Sequence, residues 1–215
     1  MRPISTVLFD LDGTLIDSIR LIIDSYHHTL ATHGIAPRSD EEWLAGIGTP
    51  LWVQFAEWAH DSDAMQAMVA TYREYNLAHH DSRVTAYPGV VGMVEGLRAR
   101  GFRLGLVTSK NNPGARRGLR LIGVEEAMEV VIGADDVQNP KPHPEPIHLA
   151  MERLGVSAES TIYVGDSLHD MHSGRAAGVR TGAVLWGPFG RGHLEPAAPD
   201  HWLERPEDLT MLLGG

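Results

Sequence analysis

Short runs of Val, Ile and Leu, each closed by Gly, Asp, Thr or Pro and alternating with helical patterns, leave few architectures open to this chain. Runs of strand length occupy residues 4–9, 102–107, 130–132, 161–164 and 179–185, and helical periodicity occupies 90–99, 113–121, 146–154 and 168–177. Strands that alternate with helices pair in parallel, because the crossover needs a helix's length to return the chain. The expected fold is therefore α/β, a Rossmann-like doubly wound parallel sheet. Right-handed crossovers gather the strand C-termini along one edge, where open sheets of this kind bind ligands.

One stretch breaks the alternation. From about residue 18 to 80 the pattern is helical throughout, with Trp43, Trp52, Phe55, Trp58, Tyr72 and Tyr75 as apolar bulk, and Gly34, Pro37, Gly46, Gly48 and Pro50 divide it into shorter helices. A βα fold split by a helical block implies a small all-helical cap inserted over the active edge. The expected division is a core of residues 1–17 and 84–215 and a cap of residues 18–83, hinged near Asp17, Ser18 and residues 84–89. A chain of 215 residues accommodates one core with one smaller module. The cap aromatics recur at helical spacing and read as the cap's own core rather than a ligand box. Residues 186–200, rich in Gly and Pro, read as a surface loop before a last short strand and helix.

Composition excludes several function classes. A hydrophobic content of 43% with 21% charged residues belongs to a folded protein. With no cysteine there are no disulfides and no thiolate metal sites, which is compatible with a reducing, cytoplasmic setting. The net charge of −10 argues against nucleic-acid binding, which needs a basic face. It does not argue against a small anionic substrate, since a metal and local cations reverse the sign inside a pocket. The first apolar run is stopped by Asp10 and Asp12 and so reads as a strand and not a signal peptide. No stretch approaches the ~18 uninterrupted apolar residues of a membrane span.

Four segments carry residues able to do chemistry. Asp10-Leu11-Asp12-Gly13-Thr14 leaves the first strand, and strand alternation would bring both carboxylates to one side. Such a pair suits a nucleophile with a general acid/base, or two metal ligands, or the capping of a helix. Gly165-Asp166-Ser167-Leu168-His169-Asp170 ends another strand, with Asp170 one helical turn beyond Asp166. Carboxylates converging on one edge repel unless a cation offsets them, and oxygen ligands favour Mg²⁺ over zinc. Asp166 is equally readable as a helix cap. Thr108-Ser109-Lys110-Asn111 offers a hydroxyl and backbone N–H groups at a helix start, a seat for a phosphate oxygen or an ordinary cap. Asn139-Pro140-Lys141-Pro142-His143-Pro144 holds Lys141 in a stiffened loop.

In this order and spacing the four segments resemble the haloacid dehalogenase-like hydrolase superfamily over the whole chain, and residues 18–80 look like that family's inserted helical cap. The resemblance implies that Asp10 is a nucleophile forming an aspartyl-phosphate, and that Asp12 protonates the leaving group and then deprotonates water. It implies Mg²⁺ held by the Asp10 and Asp166 carboxylates and the Asp12 backbone carbonyl, with Asp170 supporting the metal shell. It also implies that Thr108, the Ser109 N–H and Lys141 bind the transferred phosphoryl group. Members that dehalogenate resemble this pattern without a carboxylate two residues after the nucleophile, so Asp12 points to phosphoryl chemistry.

Within the superfamily the phosphoglycolate phosphatase-like group is the nearest broad match. Residues 72–81, 190–194 and 199–203 resemble a bacterial pyrophosphatase subgroup. The expected function is thus Mg²⁺-dependent hydrolysis of a small phosphorylated substrate, inorganic pyrophosphate first and 2-phosphoglycolate second. A phosphomutase of the same fold and a non-catalytic phosphate sensor are the rivals. The expected state is a monomer or homodimer without nucleic-acid or membrane partners. His79 and His80 read either as donors to a second phosphate or as a helix end without a specific role. Thr49, in Gly46-Ile47-Gly48-Thr49-Pro50, is placed where a cap loop would meet the leaving group.

Overall fold

A computed structural model describes residues 3–214; Met1, Arg2 and Gly215, the ends of the expected core segments, lie outside the described residues. The chain opens with β1 (Thr6–Phe9), a short β2 (Ile16–Asp17) and four helices, α1 (Ile19–Thr32), α2 (Asp40–Ala45), α3 (Leu51–Phe55) and α4 (Ser62–Arg83). It continues through β3 (Thr85–Ala86), α5 (Val90–Ala99), β4 (Arg103–Val107), α6 (Asn112–Leu121), β5 (Val130–Ile132), α7 (Glu145–Leu154), β6 (Thr161–Gly165) and α8 (Leu168–Ala176). It closes with β7 (Arg180–Val184), α9 (Arg191–Leu194), β8 (His201–Leu203) and α10 (Pro206–Leu212).

The six-stranded sheet has the order β5-β4-β1-β6-β7-β8 and every pairing in it is parallel. All five expected apolar runs are strands of this sheet. From β1 the chain moves outward on one side to β4 and β5, then crosses to β6 and continues outward on the other. The reversal leaves a crevice beyond the C-termini of β1 and β6, the place where such sheets take ligands. Phe9 pairs with Leu106 on one side and Val164 on the other, so Asp10, Thr108 and Asp166 emerge at nearly the same height.

Period-two alternation divides the strands between two apolar layers. Val7, Phe9, Leu104, Leu106, Ile162 and Val164 pack in one cluster with Val94 and Leu97 of α5, Leu119 of α6 and Leu209 of α10. Leu8, Val107, Val130, Ile132 and Tyr163 point the other way, onto Ile147, Met151 and Leu154 of α7. The helical block has a third cluster of its own, with Ile22, Tyr26, Leu30, Trp43, Phe55, Met68 and Tyr72 buried together. Tyr26 stacks on Trp43 at 4.2 Å, and Phe55 meets Tyr26 edge-on at 5.7 Å. Trp52 departs from the expected aromatic core, being 41% exposed.

Two features were not legible in the sequence. At the junctions of the helical block, β2 and β3 pair antiparallel as a two-stranded ribbon, so both crossing points are tied to each other. Residues 186–200 are not a simple surface loop. They include α9, bury Phe189, Leu194 and Ala197 against Met171 and Ala183, and send the Trp186 indole N–H to the Thr14 carbonyl at 2.9 Å. No helix among the described residues is long and apolar enough to cross a membrane.

Because the helical block has a separate core, Phe55→Ala should destabilise it by about 3–5 kcal/mol through the cavity it leaves. Hydrogen exchange should then show lost protection in α1–α4 ahead of the sheet. Uniform loss across sheet and block would contradict an independent core.

Candidate active site

The turn after β1 is set by one carbonyl and one glycine. The Leu11 carbonyl accepts from the Thr14, Leu15 and Ile16 N–H groups at 3.2, 2.8 and 3.0 Å, and Gly13 takes φ +85° to close the turn. A Cβ on Gly13 would also lie 2.5 Å from Asp166 Oδ2, so the two motif segments touch where only glycine fits. Gly187 closes over the same point, since a Cβ there would lie 2.5 Å from the Gly13 carbonyl oxygen. This turn ends the extended backbone, and Asp10 and Asp12 reach the same cleft, near enough for the Asp12 charge to bear on Asp10. Both line the cleft, with different partners.

Asp10 joins a buried cluster. Oxygens of Asp10, Asp166 and Asp170 lie within 4.8 Å of one another, all three residues being buried. The Lys141 ammonium is 3.0 Å from Asp10 Oδ1 and 2.6 Å from Asp170 Oδ1, with its side chain 1% exposed. It also donates to the Tyr163 hydroxyl at 3.0 Å. That hydroxyl lies 2.8 Å from the Val107 carbonyl and 2.9 Å from Asp170 Oδ1, and with one proton it donates to one of them. Asp170 Oδ2 accepts from the Ser167 hydroxyl at 2.6 Å and the Ser167 N–H at 3.0 Å, closing a capping box that starts α8. Asp166 Oδ1 accepts from the Thr14 hydroxyl at 3.0 Å.

The electrostatics of the cluster are unbalanced. Burial is the largest influence on Asp10 and pushes its carboxyl up to about 7; Lys141 opposes this and Asp170 reinforces it. Burial, then the charges of Asp170 and Asp10, push Asp166 well above the ordinary range. Asp170 goes the other way, because Lys141 and the Ser167 hydrogen bonds outweigh its burial. Three carboxylates against one ammonium leave an excess of two negative charges when all are ionised. Asp10 Oδ1 and Asp166 Oδ2 are buried without a hydrogen-bond partner, the Lys141 contact to Asp10 being an ion pair outside hydrogen-bonding alignment. Both Asp170 oxygens are already engaged. A divalent cation coordinated by Asp10 and Asp166 would balance the charge and satisfy the two orphaned oxygens, so the donor set fits a hard metal ion. The Asp12 carboxylate is not part of this cluster.

Asp12 Oδ1 instead accepts from the Ser18 hydroxyl at 2.5 Å and from Lys110 Nζ at 3.0 Å, and its Oδ2 lies 3.2 Å from Lys110 Nζ. Thr108 is buried at the head of β4, its hydroxyl accepting from the Lys110 N–H at 3.2 Å. Ser109 lies in the cleft wall but gives its hydroxyl to the Gly48 carbonyl at 2.6 Å, tying the helical block to the sheet edge. Thr49 adds a second tie, 3.3 Å from His169 Nε2. The cleft between the sheet edge and the helices holds a cavity of about 370 Å³.

Ser18, Lys110 and Tyr163 were missed as site residues. Tyr163 sits inside an apolar strand and Ser18 at a helix start, positions that ordinarily need no chemical explanation. Lys110 was in a motif segment, but nothing in the spacing told its ammonium to reach back to Asp12. The two histidines separate: His80 is buried and lines the cavity, while His79 turns away, its ring on Tyr75 and its Nδ1 2.8 Å from the Tyr75 carbonyl. A sequence signal for this existed, since His80 continues the four-residue stripe Met68, Tyr72, Asn76 of α4 and His79 does not.

Comparison with known proteins agrees with the geometry. The haloacid dehalogenase-like hydrolase family profile matches residues 7–184. A Bacillus pumilus protein named pyrophosphatase PpaX is 44% identical over 211 residues, covering 98% of this chain and 97% of its own length. Its namesake in Halalkalibacterium halodurans is 42% identical with the same coverage. Among solved structures, a haloacid dehalogenase-like family hydrolase from Streptococcus pneumoniae superposes with a TM-score of 0.83 at 25% identity, over 97% of this chain and 98% of that one.

Two outcomes check this site. Gly13→Ala should leave a folded protein that has lost most of its metal affinity, because its Cβ displaces the Asp166 carboxylate; calorimetric titration with Mg²⁺ reads it. Asp10 and Asp166 must both ionise to take a cation, and burial holds both carboxyls above their usual range, Asp10 up to about 7, so apparent affinity for a divalent cation should fall steeply as pH drops below neutral. Affinity unchanged from there to mildly acid pH would remove this carboxylate pair from the metal site.

Proposed function

We propose that this chain, which belongs to the haloacid dehalogenase-like hydrolase family, hydrolyses inorganic pyrophosphate through a phosphoryl group carried on Asp10. The observation that carries the proposal is the separation of two carboxylates into different environments within one cleft. Asp10 lies in the buried cluster with Lys141, Asp166 and Asp170, as a nucleophile beside a metal site should. Asp12 stands apart between Ser18 and Lys110, free to move a proton. Divergent environments are how one site assigns different tasks to chemically identical groups.

In this reading Asp10 attacks one phosphorus in line and the second phosphate departs. Asp12 delivers the proton that the departing oxygen needs, then takes one from the water that cleaves the aspartyl-phosphate. Thr108 and the Ser109 N–H, beside Asp10 at the sheet edge, orient the transferred group. Lys141 holds the Asp10 carboxylate in line and draws negative charge from the equatorial oxygens. A bound divalent cation, Mg²⁺ on the strength of the all-oxygen donors, supplies further charge neutralisation at that group. The helical block of residues 18–83 acts as a cap that limits water entry, through its ties at Gly48 and Thr49. The net charge of −10 suits a small substrate better than a nucleic acid, and the lack of cysteine is compatible with a cytoplasmic enzyme.

The choice of pyrophosphate rests on relatives of that name at 44% and 42% identity over nearly the whole chain. One observation favours a second reading. Ile22, Ile47, Leu51 and Trp52 give the cavity an apolar wall, and about 370 Å³ lies within the range of sites for organic molecules. A monoester such as 2-phosphoglycolate is therefore the alternative.

Phosphate release from pyrophosphate, 2-phosphoglycolate and a panel of sugar phosphates, with and without Mg²⁺, separates the two. Metal-dependent release with pyrophosphate strongly preferred is the expected result, and preference for a monoester would replace the substrate while keeping the chemistry. Asp10→Asn should abolish release and leave the circular dichroism spectrum unchanged; retained turnover would refute the nucleophile.

A further inference from the structure

Helix α4 changes character along its buried face. Met68 and Tyr72 belong to the apolar core of the helical block, whereas Asn76 and His80, one and two turns further on, line the cavity. His80 ends the stripe with its side chain 1% exposed. Its Nδ1 lies 2.8 Å from Asp81 Oδ1. Arg117 of α6 grips that carboxylate through Nε and Nη2 at 2.9 and 3.0 Å. Arg117 first and His80 second hold the Asp81 carboxyl down at about 2, so it is ionised and can only accept. Nδ1 therefore carries the ring proton.

The other ring nitrogen, Nε2, is buried with no hydrogen-bond partner. Burial, opposed by Asp81, depresses the imidazole's ionisation, which leaves Nε2 an acceptor near neutral pH. The charges of Lys110 and Asp12 bear on the same ring from the sheet side. A buried nitrogen without a partner is costly, and here an arginine of α6 and a carboxylate fix its orientation beside the expected proton donor.

We propose that His80 Nε2 and Lys110 Nζ form the subsite for the departing phosphate, Lys110 meeting an anionic oxygen and Nε2 accepting from a phosphate hydroxyl. Asp81 and Arg117 are positioning residues for this contact. The inference rests on the pyrophosphate reading and makes His80 a specificity determinant: a monoester whose leaving group has no such hydroxyl cannot use it.

The test is steady-state kinetics of the full chain with Mg²⁺ on pyrophosphate and on p-nitrophenyl phosphate. In His80→Ala, kcat/KM for pyrophosphate should fall by about tenfold to a hundredfold, while the monoester stays within about threefold. The surviving monoester turnover also shows that the variant is folded. His80→Gln, which restores an acceptor, should recover part of the loss. Asp81→Asn, at a half-exposed side chain where folding is not at stake, should give a smaller loss with the same selectivity. Equal losses on both substrates, or none on either, would overturn the subsite while leaving wild-type pyrophosphate turnover intact. A wild type that turns over the monoester but not pyrophosphate would instead overturn the substrate reading, and the subsite with it.

Discussion

A lysine ammonium buried between two carboxylates organises the catalytic edge of this molecule. Lys141 is drawn beneath the sheet edge to within 2.6 Å of Asp170 and 3.0 Å of Asp10, where almost no solvent reaches any of the three. A charge in that position is tolerable only when its partners are fixed, and the surrounding structure fixes them. Ser167 clamps Asp170 at the start of α8, Tyr163 fills the space behind it from within β6, and the parallel pairing of β1 with β6 sets Asp10 opposite. Removing any one of these loosens the others, because the groups share protons and charges rather than making separate contacts.

The same buried charges make the site responsive to a cation. Lys141 and Ser167 between them satisfy Asp170, Lys141 reaches one oxygen of Asp10, and Asp166 keeps only the Thr14 hydroxyl. The strain of unbalanced charge is thus concentrated on the two carboxylates that face each other across the β1–β6 crevice. Gly13 and Gly187 keep side-chain atoms out of that corner, so the backbone closes around it. The fold has placed its most costly electrostatics where a bound cation would relieve them.

The helical block contributes a second kind of control. Its aromatic core packs α1–α4 against one another, and it meets the rest of the chain through polar ties, Gly48 with Ser109, Thr49 with His169 and Asp81 with Arg117, and through apolar ones, Leu21 and Tyr75 on the sheet cluster and Leu44 on the cluster around Met171. The β2–β3 ribbon ties together the two points where the chain enters and leaves the block.

Much of this was legible in the sequence, and for a physical reason. Strand and helix periodicity are local, so the five apolar runs, the parallel sheet and the helical interruption were all readable. Asp10, Thr108 and Asp166 were readable as candidate site residues because each follows the end of a strand in a parallel sheet, and topology gathers such positions, while Asp170 lies in the first turn of α8 just beyond. The sequence by itself also determined the family, since four short motifs in one order have little else to mean. What tertiary structure alone decided was which side chains meet. Lys110 reaching back to Asp12, Tyr163 supporting Lys141, Trp186 closing over Thr14 and Arg117 holding Asp81 all join residues far apart along the chain. Contacts of that kind depend on rotamers and on the packing of whole layers, and no local pattern of residues encodes them.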